Sequence, residues 1–177
     1  MSLLQRLFKK KKQANITICG LDKAGKTSVI NYLMYGEPRS TIPTMGINLN
    51  TIKLPKLDIL IHDLGGQENF RSLWANINER SDALIYIVDS TDYERFVETR
   101  EIFHKIIETQ IVDSIPVLVL LNKVDLPNRM SRTDFITHFG LTSIQAQIRW
   151  TCFETSAMTG FGLVEAFTYF IHQLEDE

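Results

Sequence analysis

Two short and almost entirely apolar runs, ALIYIVD at 83–89 and VLVLLN at 117–122, constrain the fold of this chain most strongly. Runs of this length predict strands, and a strand that is apolar throughout must be covered on both faces. Further strand-like runs, NITIC, INLNTIKL, LDILIHD and TCFETS, alternate with helical patterns such as KTSVINYLMYG, YERFVETREIFHKIIETQ and LVEAFTYFIHQLEDE. The alternation predicts an α/β fold in which helices cover both faces of a mostly parallel, six-stranded sheet.

One pair of strands departs from the parallel pattern. In the stretch INLNTIKLPKLDILIHD, only Pro55 and Lys56 separate two strand-like runs. Parallel strands need a crossover connection of a dozen or more residues, whereas antiparallel strands can be joined by a short turn. The sequence therefore predicts one antiparallel hairpin in the sheet.

The composition indicates one globular domain. The chain has 177 residues, of which 44% are hydrophobic and 23% charged, so it is long enough to bury a full core. Cys19 and Cys152 lie in no Cys-x-x-Cys pair, so we predict neither a disulfide framework nor a zinc site, and a reducing, cytoplasmic environment is the simplest interpretation. No run of 18 apolar residues predicts a transmembrane helix, and the N-terminus lacks the pattern of a secretory signal.

The first residues, MSLLQRLFKKKKQ, are strongly basic although the whole chain carries a formal net charge of −2. On a helix, one face would hold Leu3, Leu4, Leu7 and Phe8, and the other mainly Gln5, Arg6, Lys9, Lys10 and Lys12. We therefore predict a basic amphipathic helix over residues 1–12 that binds anionic membrane surfaces reversibly, followed by a globular domain at 13–177. A solvated tail and a mitochondrial presequence are the alternatives.

The sharpest chemical motif directly follows the first predicted strand. GLDKAGKT, from Gly20 to Thr27, has the spacing G-x-x-x-x-G-K-T, in which backbone N–H groups surround phosphates, Lys26 approaches the β- and γ-phosphates and Thr27 ligates Mg²⁺. We refer to Gly20–Thr27 as the P-loop. The nucleotide-contacting residues that this motif predicts are Asp22, Lys23, Ala24, Gly25, Lys26, Thr27 and Ser28.

A second motif indicates which base is bound. Asn122, Lys123 and Asp125 follow a buried strand in VLVLLNKVDLP, and a carboxylate there can accept both N1–H and the 2-amino group of guanine, which adenine cannot offer. Read alone, the pattern would be an ordinary surface turn. Placed after a P-loop and at a strand's carboxyl end, it predicts the guanine site, with Ser156 and Ala157 of TSAMTG in a companion loop.

A third motif, in IHDLGGQENFRSLW, supplies phosphate-facing groups. Asp63 ends a strand, which suits a carboxylate that reaches Mg²⁺ through water, and Gly66 can meet a γ-phosphate. Gln67 follows at a position from which it can orient an attacking water. Alone, Asp-x-Gly-Gly would be an ordinary strand exit, but three such motifs in this order predict a magnesium-dependent GTP-binding protein.

Together these motifs resemble the small GTPases, and specifically the ADP-ribosylation-factor and Arf-like branch. The stretches that carry the resemblance are GLDKAGKT, TIPTMGINLNTIKL, DLGGQENFRSLW, IPVLVLLNKVDLP and TSAMTGFGL. The resemblance implies a Ras-like P-loop NTPase fold and GTP/GDP as the bound nucleotides. It also implies that Thr44 completes the Mg²⁺ shell, and that the hairpin between Ile47 and Asp63 is an interswitch that slides between nucleotide states, with Gly46 and Gly66 as hinges.

The same resemblance implies a class of function and of partners. We expect a GTP-hydrolysing molecular switch in membrane trafficking that associates with membranes peripherally, with a guanine nucleotide exchange factor, a GTPase-activating protein and effectors as partners and no nucleic acid. Two departures matter: Ile47, His62 and Ile77 stand where Arf proteins carry Phe, Trp and Tyr, and Ser2 replaces the glycine that myristoylation requires. Neither the effector nor the lipid anchor is therefore transferable.

Two rival functions compete with this one. A P-loop kinase or ATPase would need a lid, and NRMSRTDF is too short and too weakly basic for one. The second rival, a scaffold that binds GTP without hydrolysing it, is kept as the alternative function. No arginine stands in the P-loop or beside Thr44, although Arg39 lies close in sequence, so we expect slow intrinsic turnover, on the order of 10⁻⁴ s⁻¹ or below.

Overall fold

The computed structural model describes residues 12–111, 115–144 and 148–175. Within these ranges the strands are β1 (Lys12–Cys19), β2 (Ile47–Lys53), β3 (Leu57–Leu64), β4 (Ala83–Asp89), β5 (Pro116–Asn122) and β6 (Arg149–Glu154). The α-helices are α1 (Lys26–Tyr35), α2 (Trp74–Asn78), α3 (Phe96–Thr109), α4 (Arg132–Phe139) and α5 (Leu163–Glu175), and 3₁₀ helices cover Glu68–Leu73 and Leu141–Ile144.

The strands form one six-stranded sheet in the order β2-β3-β1-β4-β5-β6. β1 pairs in parallel with β3 and with β4, and β4–β5 and β5–β6 are parallel as well. Only β2 and β3 are antiparallel among the described strands, with Ile47 opposite Leu64 and Lys53 opposite Asp58, and the Leu54 N–H donates to the Leu57 carbonyl across the turn. The predicted mostly parallel sheet and its single antiparallel hairpin are confirmed.

The core lies in two layers because alternate residues of each central strand point to opposite faces. On one face, Ile85 and Leu118 pack with side chains of α1 and α5, such as Ile30 and Phe170. The other face, which includes Tyr86 and Val119, packs against α2, α3 and α4. Helices therefore cover both faces, which explains why β4 and β5 are apolar nearly throughout.

The first strand begins earlier than its apolar run suggests. β1 starts at Lys12, whose Nζ donates to the carbonyl oxygen of Leu174 near the end of α5 at 2.6 Å. Lys12 is thus part of the sheet, whereas the helix predicted over residues 1–12 otherwise lies outside the described residues and stays a prediction. α2 and α4 have only 5 and 8 residues, too few for a clear helical period in the sequence.

The topology brings the three sequence motifs to one edge of the sheet. β1, β3 and β5 are parallel, so their carboxyl ends at Cys19, Leu64 and Asn122 lie on the same side, where ligands bind in open α/β sheets. Both cysteines are buried and free. No helix in the described ranges is both long and apolar enough to cross a bilayer.

Candidate nucleotide-binding site

An open cleft of about 340 Å³ lies over the P-loop. Ten of the residues predicted from the sequence line it: Asp22, Lys23, Gly25, Lys26, Thr27, Ser28, Thr44, Gly66, Gln67 and Lys123. Thr41, Ile42 and Pro43 also line it; they belong to the stretch TIPTMGINLNTIKL, in which only Thr44 was predicted to contact the ligand. The P-loop, the segment around Thr44 and the Gly66 segment thus surround one space.

The backbone of the P-loop takes a conformation that few residues adopt. Lys23 and Gly25 have positive φ values of 64° and 97°, and a Cβ on Gly25 would lie 2.5 Å from Nδ2 of Asn122. Gly25 precedes the first residue of α1, and no side chain caps that helix. The first N–H groups of α1 are therefore free of a side-chain cap at the cleft, an arrangement that favours anion binding.

The Lys26 ammonium is held inside the loop. Lys26 is only 6% exposed, and its Nζ donates to the carbonyl oxygens of Gly20 and Leu21 at 3.0 and 2.8 Å. Burial lowers its pKa, although the nearby Asp63 carboxyl acts in the opposite direction. A buried cation beside an open cleft is suited to an anionic ligand, which would compensate its cost of burial.

Three oxygen-bearing side chains meet beside Lys26. Thr27 Oγ1 donates to Asp63 Oδ2 at 2.8 Å and lies 3.0 Å from Thr44 Oγ1, which itself donates to Asp63 Oδ2 at 3.3 Å. Asp63 is fully buried, and its Oδ1 has no hydrogen-bond partner among the described residues. Burial raises the pKa of Asp63, whereas the hydrogen bonds from the two threonines lower it. Hydroxyl and carboxylate oxygens with an unpartnered buried atom fit Mg²⁺, which prefers oxygen ligands.

The Gly65–Gly66 segment packs directly on the P-loop. A Cβ on Gly66 would lie 2.6 Å from Lys26 Nζ and 2.3 Å from the Asp22 nitrogen, so only glycine fits. Trp74 Nε1 donates to the Gly65 carbonyl at 3.1 Å and Arg71 Nε to the Gly66 carbonyl at 3.3 Å. These two hydrogen bonds anchor the carbonyls of both Gly65 and Gly66. None of the sequence motifs indicated these bonds.

Asn122 lies behind the cleft and braces the loops around it. It is 1% exposed, and its Nδ2 donates to the Ala24 carbonyl at 2.9 Å. Its Oδ1 accepts from the Ala157 N–H at 3.2 Å and from Thr155 Oγ1 at 3.3 Å. Asn122 therefore connects the P-loop with the TSAMTG loop, and the guanine contact expected of the Ala157 N–H stays a prediction.

Lys123 and Asp125 follow Asn122 in an ordered turn. Lys123 has a φ of 67° and pairs through Nζ with Asp89 Oδ2 at 2.6 Å. Burial acts to raise the pKa of Asp89, but the hydrogen bonds from Lys123 and Thr91 keep it below its usual value. Asp125 is exposed, so its carboxylate is accessible to a ligand.

Six predicted site residues do not line the cleft itself: Ala24, Asp63, Asn122, Asp125, Ser156 and Ala157. Ser156 is buried, and its Oγ accepts from the N–H groups of Met158 and Thr159 at 3.2 and 3.1 Å. It therefore shapes the companion loop. Asp89, Arg71 and Trp74 were missed because their partners are distant in the sequence or lie on the backbone.

Comparison with known proteins decides the family. The model of the ADP-ribosylation factor family matches residues 1–174. The chain belongs to this family. A solved structure of the Arl6 (BBS3) small GTPase from Trypanosoma brucei, with bound nucleotide analogue GppNp, is similar with a TM-score of 0.84. It shares 25% sequence identity, and the match covers 93% of this chain and 99% of that one.

Membership of the Arf family confirms the resemblance and the Ras-like fold. Arf-family proteins are small GTPases that bind guanine nucleotides, so the cleft over the P-loop is consistent with the family's chemistry. Two of the three departing residues, Ile47 and Ile77, are half-buried and pack against the cluster around Trp74. His62 is also half-buried, and burial lowers its pKa.

Proposed function

We propose that this Arf-family chain is a magnesium-dependent molecular switch that binds GTP and hydrolyses it to GDP and phosphate. The observation that carries the proposal is the meeting of Thr27, Thr44 and Asp63 beside the buried Lys26. These groups come from three segments that are far apart in sequence. Their convergence beside an open cleft is the arrangement that a nucleoside triphosphate with a divalent cation requires.

Each loop has a distinct role in holding the nucleotide. The N–H groups between Asp22 and Ser28, together with the Lys26 ammonium, bind the phosphates. The Asp125 carboxylate accepts two hydrogen bonds from guanine, while Lys123, held by Asp89, forms the wall of the base site. The Ala157 N–H and the bracing Asn122 complete the guanine loop.

The magnesium site would be built from the same oxygens. Thr27 and Thr44 would bind Mg²⁺ directly and Asp63 through water, and the ion would supply neutralisation of the phosphate charge. The buried, unpartnered Oδ1 of Asp63 supports this assignment. Thr44 is the movable member because it lies in a largely exposed segment, 41–45, rather than on a strand or helix.

A switch needs two segments that respond to one phosphate. Thr44 and Gly66 both line the cleft, and the Gly65 N–H donates to the Gly46 carbonyl at 2.8 Å. A γ-phosphate that contacts both segments would hold them together, and its loss would release them and the β2–β3 hairpin between them. The bound nucleotide would thereby change the surface formed by these segments and the hairpin. Effectors would recognise that surface, which here includes Ile47, His62 and Ile77.

Hydrolysis would depend on Gln67 and on an arginine from a partner. Gln67 is exposed at the cleft, where it can orient water. Three arginines near the cleft already have other partners: the Arg39 guanidinium lies 3.6 Å from the centre of the Tyr35 ring and pairs with Glu37. Arg71 pairs with Glu98, and Arg95 pairs with Asp22 and Asp92. A slow intrinsic rate, accelerated by a GTPase-activating protein, is therefore expected.

The proposed location is the cytoplasm, with reversible peripheral binding to membranes in trafficking. Residues 1–11 would supply a basic amphipathic anchor that GTP exposes, and an exchange factor would load the nucleotide. A short helix with four modest apolar side chains and a run of lysines should bind weakly enough to reverse.

Two measurements test the proposal. A competition titration should give GTP and GDP a large preference over ATP, since the Asp125 carboxylate would be left unpaired by adenine. A single-turnover assay should show slow hydrolysis, on the order of 10⁻⁴ s⁻¹, that falls further in Gln67→Leu but not in the neighbouring control Glu68→Gln. Tight GTP binding without hydrolysis, even with cell extract as a source of activating protein, would favour the alternative of a nucleotide-locked scaffold. Preference for ATP would contradict the proposal altogether.

A further inference from the structure

Asp22 places a carboxylate in the proposed phosphate-binding loop. Its side chain is 31% exposed at the edge of the cleft, and a carboxylate there would repel the phosphates that the loop is proposed to bind. The same residue lies next to Gly66, since a Cβ on Gly66 would come 2.3 Å from the Asp22 nitrogen. Something must therefore neutralise and orient Asp22.

Arg95 contacts Asp22 in two ways. Its Nη1 donates to Asp22 Oδ1 at 2.8 Å, and its Nη2 donates to the Asp22 backbone carbonyl at 3.2 Å. Arg95 immediately precedes α3, so it reaches the P-loop from a helix that packs on the other face of the sheet from α1. One guanidinium thus holds both the charge and the backbone of the same residue, which the fork geometry of arginine allows and a lysine ammonium does not.

Arg95 is itself held in place by Asp92. Its Nε donates to Asp92 Oδ2 at 2.7 Å, and its backbone N–H donates to Asp92 Oδ1 at 3.2 Å. The side chain is 32% exposed, so solvent only partly screens these contacts. Asp92 therefore keeps the guanidinium in one orientation, aimed at the P-loop.

The contact between Arg95 and the Asp22 carbonyl also fixes the direction of the next amide, the Lys23 N–H. The Asp22 carbonyl and the Lys23 N–H belong to one planar trans peptide, so they point in opposite directions. With the carbonyl bound to Arg95, the Lys23 N–H is directed away from Arg95. Lys23 has a φ of 64°, a conformation that a non-glycine residue keeps only when its surroundings hold it.

We propose that Arg95 is a positioning residue of the phosphate-binding loop. It neutralises the Asp22 carboxylate and holds the Asp22–Lys23 peptide so that the Lys23 N–H faces the β-phosphate of a guanine nucleoside di- or triphosphate. This inference rests on the proposed function, because it assumes that the cleft binds such a nucleotide. It assigns to the start of α3 a role in nucleotide retention that none of the three sequence motifs contains.

The test compares three variants of the full chain. Arg95→Gln removes the charge and the fork, Arg95→Lys keeps the charge but cannot span both oxygens, and Asp22→Asn combined with Arg95→Gln removes the uncompensated carboxylate. The control is Arg100→Gln on the same helix, where Arg100 donates to the His138 carbonyl at 3.2 Å, away from the cleft. Dissociation of fluorescent GDP and GTP analogues is measured, together with the ³¹P spectrum of bound GDP.

We expect Arg95→Gln to release both nucleotides about tenfold faster or more, the scale of a lost charge-assisted hydrogen bond. Arg95→Lys should lie between it and wild type, and the double variant should recover part of the loss. The β-phosphate resonance of GDP should shift in Arg95→Gln more than the α-phosphate resonance. A purely structural role would change thermal stability without selecting the β-phosphate.

The outcomes separate the two proposals. If the wild-type chain binds neither GDP nor GTP, the proposed function fails and this inference with it. If wild type binds but Arg95→Gln keeps the wild-type dissociation rate and β-phosphate resonance, only the role of Arg95 is overturned. Equal losses in Arg95→Gln and Arg100→Gln would also overturn it, because the effect would then belong to the helix as a whole.

Discussion

The side chain of Asn122 donates a hydrogen bond from Nδ2 to the carbonyl oxygen of Ala24, 98 residues earlier in the chain. Ala24 lies in the middle of the P-loop, and Asn122 ends β5. The same amide accepts the N–H of Ala157. One buried side chain thus fixes the distance between the loop proposed to bind phosphates and the loops proposed to bind guanine.

Replacing this amide should damage both stability and binding. In Asn122→Ala, the Ala24 carbonyl and the Ala157 N–H lose their partner in a buried place, so the free energy of unfolding should fall by about 1–3 kcal/mol. GDP should also dissociate faster, since two loops lose their common brace. Urea denaturation and nucleotide release would measure the two effects. Asn76→Ala, at an exposed position, serves as the control, and a variant as stable and as retentive as that control would contradict the prediction.

Base specificity should depend on one carboxylate. Asp125→Asn replaces an acceptor of two guanine hydrogen bonds with an amide that can donate to the 2-oxo group of xanthine. Preference should therefore shift from GTP towards XTP in a competition titration. Asp134→Asn, which changes an exposed aspartate of α4, should leave the preference as in wild type. An unchanged preference in Asp125→Asn would remove Asp125 from the base site.

Removal of magnesium should loosen the bound nucleotide. Chelation by EDTA should accelerate GDP release from wild type, because the phosphates would lose their link to Thr27 and Asp63. In Thr27→Ala, chelation should have a smaller effect, since one direct ligand is already missing. Thr137→Ala, on the exposed side of α4, should respond like wild type. If the rate of GDP release from the wild-type chain did not change with EDTA, the result would argue against the metal site.

Membrane binding should depend on the lysine run at residues 9–12 and on whether GTP or GDP is bound. GTP-loaded protein should sediment with vesicles rich in anionic lipid more than GDP-loaded protein, and salt should weaken the association. The variant that tests the charge replaces Lys9, Lys10 and Lys11 by alanine but keeps Lys12, which bonds to the Leu174 carbonyl in the fold. Neutral vesicles give the background. Equal sedimentation of both nucleotide forms, or none at low salt, would make the run a solvated tail.

Much of this protein followed from residues that are neighbours in sequence. The spacing of Gly20, Gly25 and Lys26 predicts a phosphate loop, since turn geometry and helix N–H groups are local properties. The three residues between β2 and β3 leave room only for an antiparallel turn, and the apolar runs of β4 and β5 require helices on both faces. These features need no knowledge of where the rest of the chain lies.

The contacts that set the site's geometry could not be predicted in this way. Arg95 reaches Asp22 over 73 positions, and neither residue looks unusual in its own stretch of sequence. The guanine contact predicted for Asn122 stays a prediction, and only the packing of β5 near the P-loop shows that its side chain also bonds to the Ala24 carbonyl. Pairs of this kind depend on which strands lie side by side, and that choice minimises the free energy of the whole core rather than of any segment. The sequence alone thus determined which groups are present and on which elements, and the tertiary structure decided which of them meet.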